Sequence, residues 1–213
     1  MSLKRFLEAG GLAAGLAMVA IGIVAIVMGI GGHNTVLDSI KRERIVGSPD
    51  MTPALIAKEV GTKLPGVALP TCSVAGKAVD NGDRARCFAD YMRIHTLLST
   101  GGQTYAQMGR FLDAEGQPTS DEAKAATNPT TGRPVENGLR NLWVTETALT
   151  TALNTSYLAD RIAAYGIVVG AALLLAGVGF SILAVATLGT GLPMVGRRLR
   201  LHRSGGTGTV HPA

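Results

Sequence analysis

Two long apolar segments constrain what this chain can fold into. The first covers residues 9–32 and the second residues 162–189, and neither contains Asp, Glu, Lys, Arg or His. A helix rises about 1.5 Å per residue, so about 20 apolar residues cross the roughly 30 Å hydrocarbon core of a membrane. Each segment is therefore predicted to be a transmembrane helix in contact with the lipid bilayer.

The two predicted spans divide the chain into five parts. Residues 1–8 form a short start, residues 33–161 lie between the spans, and residues 190–213 form a basic tail that is predicted to be disordered. The middle part has the size of one domain. The predicted fold is mainly α: an antiparallel hairpin of two transmembrane helices that carries one mostly helical domain. A cleaved signal peptide is the alternative for the first span, although its apolar run exceeds the roughly 7–15 residues typical of such peptides.

The spacing of apolar residues predicts the helices of the middle part. Helices are expected over 53–64, 84–98 and 105–112, and a short hairpin is considered for 67–79 because that stretch holds proline, glycine and β-branched residues. Residues 137–161 are predicted to be helical, and no helix breaker separates them from the second span. They are therefore predicted to continue into it as one long helix.

The excess positive charge of the chain lies beside the predicted spans. Of the net charge of +5, two basic residues less Glu8 contribute +1 before the first span, and four arginines contribute +4 after the second. Positive residues beside spans stay on the cytoplasmic side. Both termini are thus predicted to be cytoplasmic and residues 33–161 extracytoplasmic, and nucleic-acid binding is not expected. The residues that carry this signal, and that are placed to contact lipid, are Lys4, Arg5, Arg197, Arg198, Arg200 and Arg203.

Small residues recur every seven positions in both predicted spans. A stripe with this spacing lets two helices approach closely in a left-handed crossing. Two alternatives are that glycine is simply common in transmembrane helices and that the stripe joins two chains. Aligning the midpoints of the spans predicts the pairs Gly29–Gly170, Gly22–Gly177 and Gly15–Ala184, with Gly166 one helical turn before Gly170.

Both cysteines, Cys72 and Cys87, lie in the predicted extracytoplasmic part. An even number of cysteines in an oxidising compartment favours a disulfide. A structural zinc site would need four ligands, and only His33 and His95 accompany the cysteines in this part. The sequence therefore predicts a Cys72–Cys87 disulfide and no metal site or cofactor.

The middle part shows no clear catalytic motif. His95 lies on the apolar stripe of its helix, where a histidine is usually a hydrogen-bonded core residue, and neither Asp90 nor Ser99 falls on the same helix side at the reach that a catalytic triad needs. We therefore predict a non-catalytic accessory or structural role that depends on binding another membrane or envelope protein, or a second copy of the chain. The alternative is a membrane-anchored extracytoplasmic enzyme that uses His95 and nearby acids.

Several short segments together resemble one protein family. They are residues 46–53 (VGSPDMTP), 86–89 (RCFA), 91–95 (YMRIH), 102–105 (GQTY) and 143–149 (WVTETAL), and they resemble a family of uncharacterised two-span membrane proteins of actinobacteria. The resemblance implies a bacterial plasma membrane and brings no established activity. Some family members carry the label of an aromatic ring-opening dioxygenase, which implies a non-haem iron held by two histidines and a carboxylate. The residues do not support this label, because one of the two available histidines abuts the first span.

Overall fold

The structure is a computed structural model that describes the backbone of residues 3–190 and the side chains of residues 6–187. Within this range the chain is mainly helical, which confirms the predicted class. Two helices are long, two are shorter, and the only strands described are very short. In chain order the elements are α1 (Leu3–Arg42), α2 (Pro53–Val60), α3 (Gly82–Ser99), β1 (Phe111–Leu112), β2 (Pro118–Thr119), a 3-10 turn (Glu122–Lys124) and α4 (Gly138–Thr190).

The long helices α1 and α4 contain the two predicted spans. Each has an apolar stretch long enough to cross a membrane, judged by length and composition. Each also continues as a helix beyond its predicted span, α1 to Arg42 and α4 back to Gly138. The expected continuity of residues 137–161 with the second span is therefore confirmed.

Local capping sets the bounds of the shorter helices. The Thr52 hydroxyl accepts a hydrogen bond from the backbone N–H of Leu55 at 3.2 Å, and Pro53 opens α2. The helix ends at Val60 rather than at the predicted residue 64, because Gly61 has a positive φ of 45°. The amide side chain of Asn81 caps α3 by accepting from the N–H of Arg84 at 2.9 Å.

Two predictions for irregular stretches were wrong. Residues 105–112 form turns and strand β1, which pairs antiparallel with β2, rather than a helix. The close approach of Gly109 explains the difference, since a Cβ there would lie 2.5 Å from the backbone nitrogen of Thr119. Residues 67–79 form no hairpin; instead, Ala75 and Ala78 bridge to residues 46–47.

The described chain divides into two compact units, one made of residues 20–174 and a smaller one made of residues up to 19 and from 175 onward. The larger unit holds the domain and its core. Tyr91 is fully buried at the centre of a cluster to which α2, α3 and α4 contribute Ile56, Ile94 and Trp143. A second cluster joins the end of α1 to α3 and α4. Its buried members are Ile40, Val79, Ala85, Ala89 and Leu153.

The glycines of the larger unit bring α1 and α4 together. A Cβ on Gly22 would lie 2.7 Å from the carbonyl oxygen of Gly170, and one on Gly29 would lie 2.8 Å from that of Ala163. Gly166 makes a looser approach, 3.8 Å from the carbonyl oxygen of Ala25. Such spacing leaves no room for a side chain at Gly22 or Gly29.

The smaller unit shows the same kind of approach. A Cβ on Gly15 would lie 2.8 Å from the carbonyl oxygen of Gly177, and one on Gly11 would lie 3.9 Å from the Cβ of Ala184. The hydroxyl of Ser181 donates to the carbonyl oxygen of Gly177 at 2.8 Å. Small residues are therefore opposed here as well.

The predicted register of the glycine stripes was wrong by seven residues. Gly22 lies against Gly170 instead of Gly177, and Gly15 lies against Gly177 instead of Ala184. A shift of one repeat still opposes small residues, so the stripes alone cannot choose between the two registers. In the larger unit, Ile40 of α1 packs in the same buried cluster as Leu153 of α4, and this contact selects the observed register.

Candidate functional site

The domain carries one disulfide next to its most buried aromatic residue. Cys72 and Cys87 are bonded with their Cα atoms 6.1 Å apart, which confirms the predicted pair. The Tyr91 hydroxyl donates to the backbone carbonyl of Cys72 at 2.7 Å. The irregular segment before α3 is thus fixed to that helix by both a covalent bond and a buried hydrogen bond.

Three side chains with metal-binding or proton-transferring chemistry meet at the other end of α3. We call Asp50, Glu59 and His95 the His95 cluster. His95 Nε2 lies 3.0 Å from Asp50 Oδ2 and 3.9 Å from Glu59 Oε2. One ligand atom from each residue lies within 4.8 Å of the other two. The cluster therefore brings one imidazole nitrogen and two carboxylates to a common point.

The core of the domain holds the three members in place. Glu59 lies on α2, whose Ile56 and Val60 are buried in the same cluster as Ile94 on α3. The turn that carries Asp50 is closed by a hydrogen bond from the N–H of Met51 to the carbonyl of Ser48 at 3.1 Å, and Met51 is buried. Each ligand group is thus attached to a segment anchored in the core.

The environment of Asp50 favours its charged form. Hydrogen bonding from the Ser48 side chain is the main cause that lowers the pKa of Asp50 below its usual value. The nearby imidazole of His95 acts in the same direction, whereas partial burial opposes both. A carboxylate, rather than a carboxylic acid, is therefore the form of Asp50 that faces His95.

The cluster borders an open cleft. A cavity of about 490 Å³ is lined by both carboxylates and by residues of α2 and the turn after it. The side chains of Asp50 and Glu59 are roughly two-fifths exposed, whereas His95 Nε2 is buried and makes no aligned hydrogen bond with the described residues. A small ligand or water could thus reach the carboxylates from solvent while the nitrogen stays shielded.

Ser99, close to His95 in sequence, does not belong to the His95 cluster. Its hydroxyl donates a hydrogen bond to the backbone carbonyl of His95 at 2.9 Å and not to the imidazole ring. Sequence reasoning missed both Asp50 and Glu59, which lie well before His95 in the chain. Asp50 falls inside one of the segments that carry the family resemblance, which was the only sequence signal that pointed to it.

His33 belongs to a different pair. Its Nδ1 lies 2.6 Å from Asp160 Oδ1, at a point where α1 meets α4. Nearby, Arg161 pairs with Asp83 at the start of α3. These contacts join the long helices to the domain, and they give His33 a structural partner rather than a place in the His95 cluster.

Among the further clefts of the larger unit, two differ clearly in polarity. One, of about 400 Å³, is polar, and Arg140 stacks 4.0 Å over the ring of Tyr105 beside it. The other, of about 300 Å³, is mostly apolar and is lined by Ile40, Leu149 and Leu153 with their neighbours. The first suits an anionic group and the second suits an apolar side chain.

The basic residues that are predicted to set the topology lie near the two ends of the chain. The side chains of Lys4 and Arg5 and the tail residues Arg197, Arg198, Arg200 and Arg203 lie outside the part of the chain whose side chains are described.

Comparisons of the chain with protein-family models, with curated proteins and with solved structures find no match.

Proposed function

We propose that α1 and α4 anchor this protein in a bacterial plasma membrane as an antiparallel pair of spans. The observation that carries the proposal is the exposure of their apolar stretches, in which only 17% of residues are buried. The core helix of a soluble protein would be mostly buried. Leaving such side chains in water costs about 25 cal/mol per Å² of apolar surface, and a lipid environment removes that cost.

The domain then lies outside the cytoplasm. The positive charge beside the two spans favours cytoplasmic termini. The Cys72–Cys87 disulfide supports the same orientation, because disulfides persist in oxidising compartments. Residues 33–161 would therefore stand on the outer face of the membrane.

Cysteine labelling in intact cells tests this topology. A cysteine at Glu115, in an exposed turn of the domain, should react with a membrane-impermeant maleimide. A cysteine at Thr207 in the tail should react only after permeabilisation, because the membrane shields it. The native cysteines are bonded to each other and provide a low background. Labelling of position 207 in intact cells would reverse the topology.

Within this arrangement, the domain serves to bind another envelope protein rather than to catalyse a reaction. Leu139, Leu142 and Leu149 lie along one side of α4 outside the apolar span, and each is 39–43% exposed. Leu149 also borders the apolar cleft described above. Exposed leucines beside an apolar cleft are typical of a contact surface, and a helix that extends from the same membrane would be held alongside them.

Paired substitutions test the binding role. Leu142→Ser combined with Leu149→Ser should abolish a photocrosslink formed from position 139 in intact cells, because the apolar contact is lost. Val144→Ser is a matched control, since Val144 is 55% exposed and lies on the opposite side of the helix. Mass spectrometry of the crosslinked product identifies the partner and distinguishes another envelope protein from a second copy. Equal crosslinking in both variants would contradict the proposal.

A membrane-anchored enzyme is the second candidate function. The approach of His95 Nε2 to Asp50 at 3.0 Å, beside an open cleft, favours it. An imidazole held by a carboxylate can accept a proton from a bound molecule. This candidate ranks below the binding role because no described hydroxyl group donates a hydrogen bond to the ring of His95.

A further inference from the structure

We propose that the His95 cluster binds one divalent metal ion, with Zn²⁺ as its preferred ion, held by His95 Nε2 and one carboxylate oxygen each of Asp50 and Glu59. This site goes beyond the binding role proposed above and does not depend on it. It also departs from the expectation that the chain has no metal site, which weighed a four-ligand zinc site and a two-histidine iron site but not a site with one histidine and two carboxylates.

The first argument is the spacing of the three ligand atoms. Zinc is bound at about 2.0–2.2 Å from nitrogen and oxygen in tetrahedral sites, which places neighbouring ligand atoms about 3.4 Å apart. The two separations from His95 Nε2, 3.0 Å to Asp50 Oδ2 and 3.9 Å to Glu59 Oε2, lie on either side of that value. Small rotations of two partly exposed carboxylates would complete the geometry.

The second argument is the state of the imidazole nitrogen. His95 Nε2 is buried without an aligned hydrogen bond, although a carboxylate oxygen lies 3.0 Å away. Buried polar atoms nearly always have a partner. A divalent cation between the nitrogen and the carboxylates would supply that partner. It would accept a lone pair from the nitrogen and from each carboxylate, and its charge would balance the two negative charges.

The third argument is that the ligands are held in advance. They come from three segments, the turn before α2, α2 itself and α3, and all three segments are anchored in one core that includes the disulfide cysteine Cys87. Ligands on anchored elements lose little freedom when the metal binds. The site is thus built by the tertiary structure and does not require a flexible loop to fold around the ion.

The cleft beside the cluster determines what kind of metal site this is. Three protein ligands leave a fourth tetrahedral position open toward the cleft of about 490 Å³, where water or a small anion would bind. Structural zinc sites fill all four positions with protein ligands, whereas exchangeable and catalytic sites keep one open. Lys58 and Lys63 line the same cleft and favour an anion at that position.

The choice of metal follows from the ligand set. One imidazole and two carboxylates suit Zn²⁺ and related transition ions better than Ca²⁺ or Mg²⁺, which prefer oxygen ligands alone. The set also differs from the two-histidine iron centre implied by the family resemblance, because His33 is paired with Asp160. The inference therefore rests on Asp50, Glu59 and His95 alone.

Metal titration of the full chain tests the proposal. The chain would carry His202→Gln and His211→Gln, so that its tail offers no imidazole to a metal ion. It would be purified in mild detergent with a tag that contains no histidine, and bound metal would be removed with a chelator. Calorimetric titration should show one Zn²⁺ per chain, and Co²⁺ should give the visible absorption of a low-coordinate site. Failure of the folded chain to bind either ion at up to about 1 mM would overturn the proposal.

Single substitutions locate the ion. His95→Gln, Asp50→Asn and Glu59→Gln should each weaken Zn²⁺ binding at least tenfold, since even loss of an outer-shell partner costs about 10–100-fold. His33→Gln and Glu115→Gln are controls of the same residue types outside the cluster and should change the affinity less than twofold. Zn²⁺ should raise the melting temperature of the parent chain and of both controls, but not that of the cluster variants. Binding that is equal in cluster and control variants would overturn the assignment even if zinc binds.

Discussion

Replacement of Gly22 by leucine should force α1 and α4 apart in the larger unit. A Cβ at this position would already lie 2.7 Å from the carbonyl oxygen of Gly170 and 2.8 Å from the backbone nitrogen of Leu174. Backbone atoms cannot rotate away as a flexible side chain can. Overpacking of a well-packed site costs about 1–3 kcal/mol, and a leucine against two backbone groups should reach or exceed the upper end.

Matched glycines on the same helices provide the controls. A Cβ on Gly31 of α1 or Gly179 of α4 would meet no atom within 4 Å, so Gly31→Leu and Gly179→Leu should leave the thermal stability of the purified protein near that of the parent. Gly170→Leu should behave like Gly22→Leu, because its Cβ would lie 2.7 Å from the carbonyl oxygen of Gly22. Equal stability of all four variants would refute close packing of the helices.

Crosslinking reports the register directly. A Cβ on Gly32 would lie 3.7 Å from the Cβ of Ala163, which is within the separation that disulfides require. The double variant Gly32→Cys and Ala163→Cys should therefore form a bond within one chain, and Gly22→Leu should reduce its yield. A bond that forms only between chains would instead make the glycine stripe an oligomer contact.

Loss of the disulfide should destabilise the domain by about 2–5 kcal/mol, with about 3 kcal/mol expected for a closed loop of this size. Cys72→Ser isolates the effect of the crosslink, because Cys72 is exposed and its replacement disturbs no core packing. Cys87 is 4% exposed beside Tyr91, so Cys87→Ser should cost more, since it also buries a hydroxyl group. Urea denaturation of the domain in detergent would give the two free energies of unfolding.

Mass and thiol measurements check the bond itself. The intact mass should rise by about 2 Da on reduction, as two hydrogens are added when one disulfide opens. The unreduced, denatured protein should show no titratable thiol. Two titratable thiols in that state would contradict the bond. Equal free energies of unfolding for the parent chain and Cys72→Ser would contradict its stabilising role.

Local signals in the sequence were sufficient for several elements. The apolar runs predicted α1 and α4, because a helix that satisfies its own backbone hydrogen bonds depends mainly on residues within one turn. The start of α2 followed from Thr52 and Pro53 for the same reason. These features need no knowledge of distant parts of the chain, and the structure bears them out.

Features that depend on distant residues were missed or misplaced. Residues 105–112 carry helical spacing, but Gly109 approaches the backbone of Thr119 too closely for a helix to form. The cleft that Leu149 borders is likewise closed by residues from the end of α1. In both cases the deciding contact lies outside any local window of sequence.

The sequence by itself determined two long apolar helices, a mainly helical domain between them and a cysteine pair within bonding reach. Only the tertiary structure decided the register of the glycine stripes and the neighbours of His95. A seven-residue repeat fits two registers that differ by seven residues equally well. The contacts of Ile40 and His33 with α4 select one of them. Asp50 and Glu59 reach His95 because α2 packs its buried face onto the same core as α3, and such convergence arises only when the chain is folded.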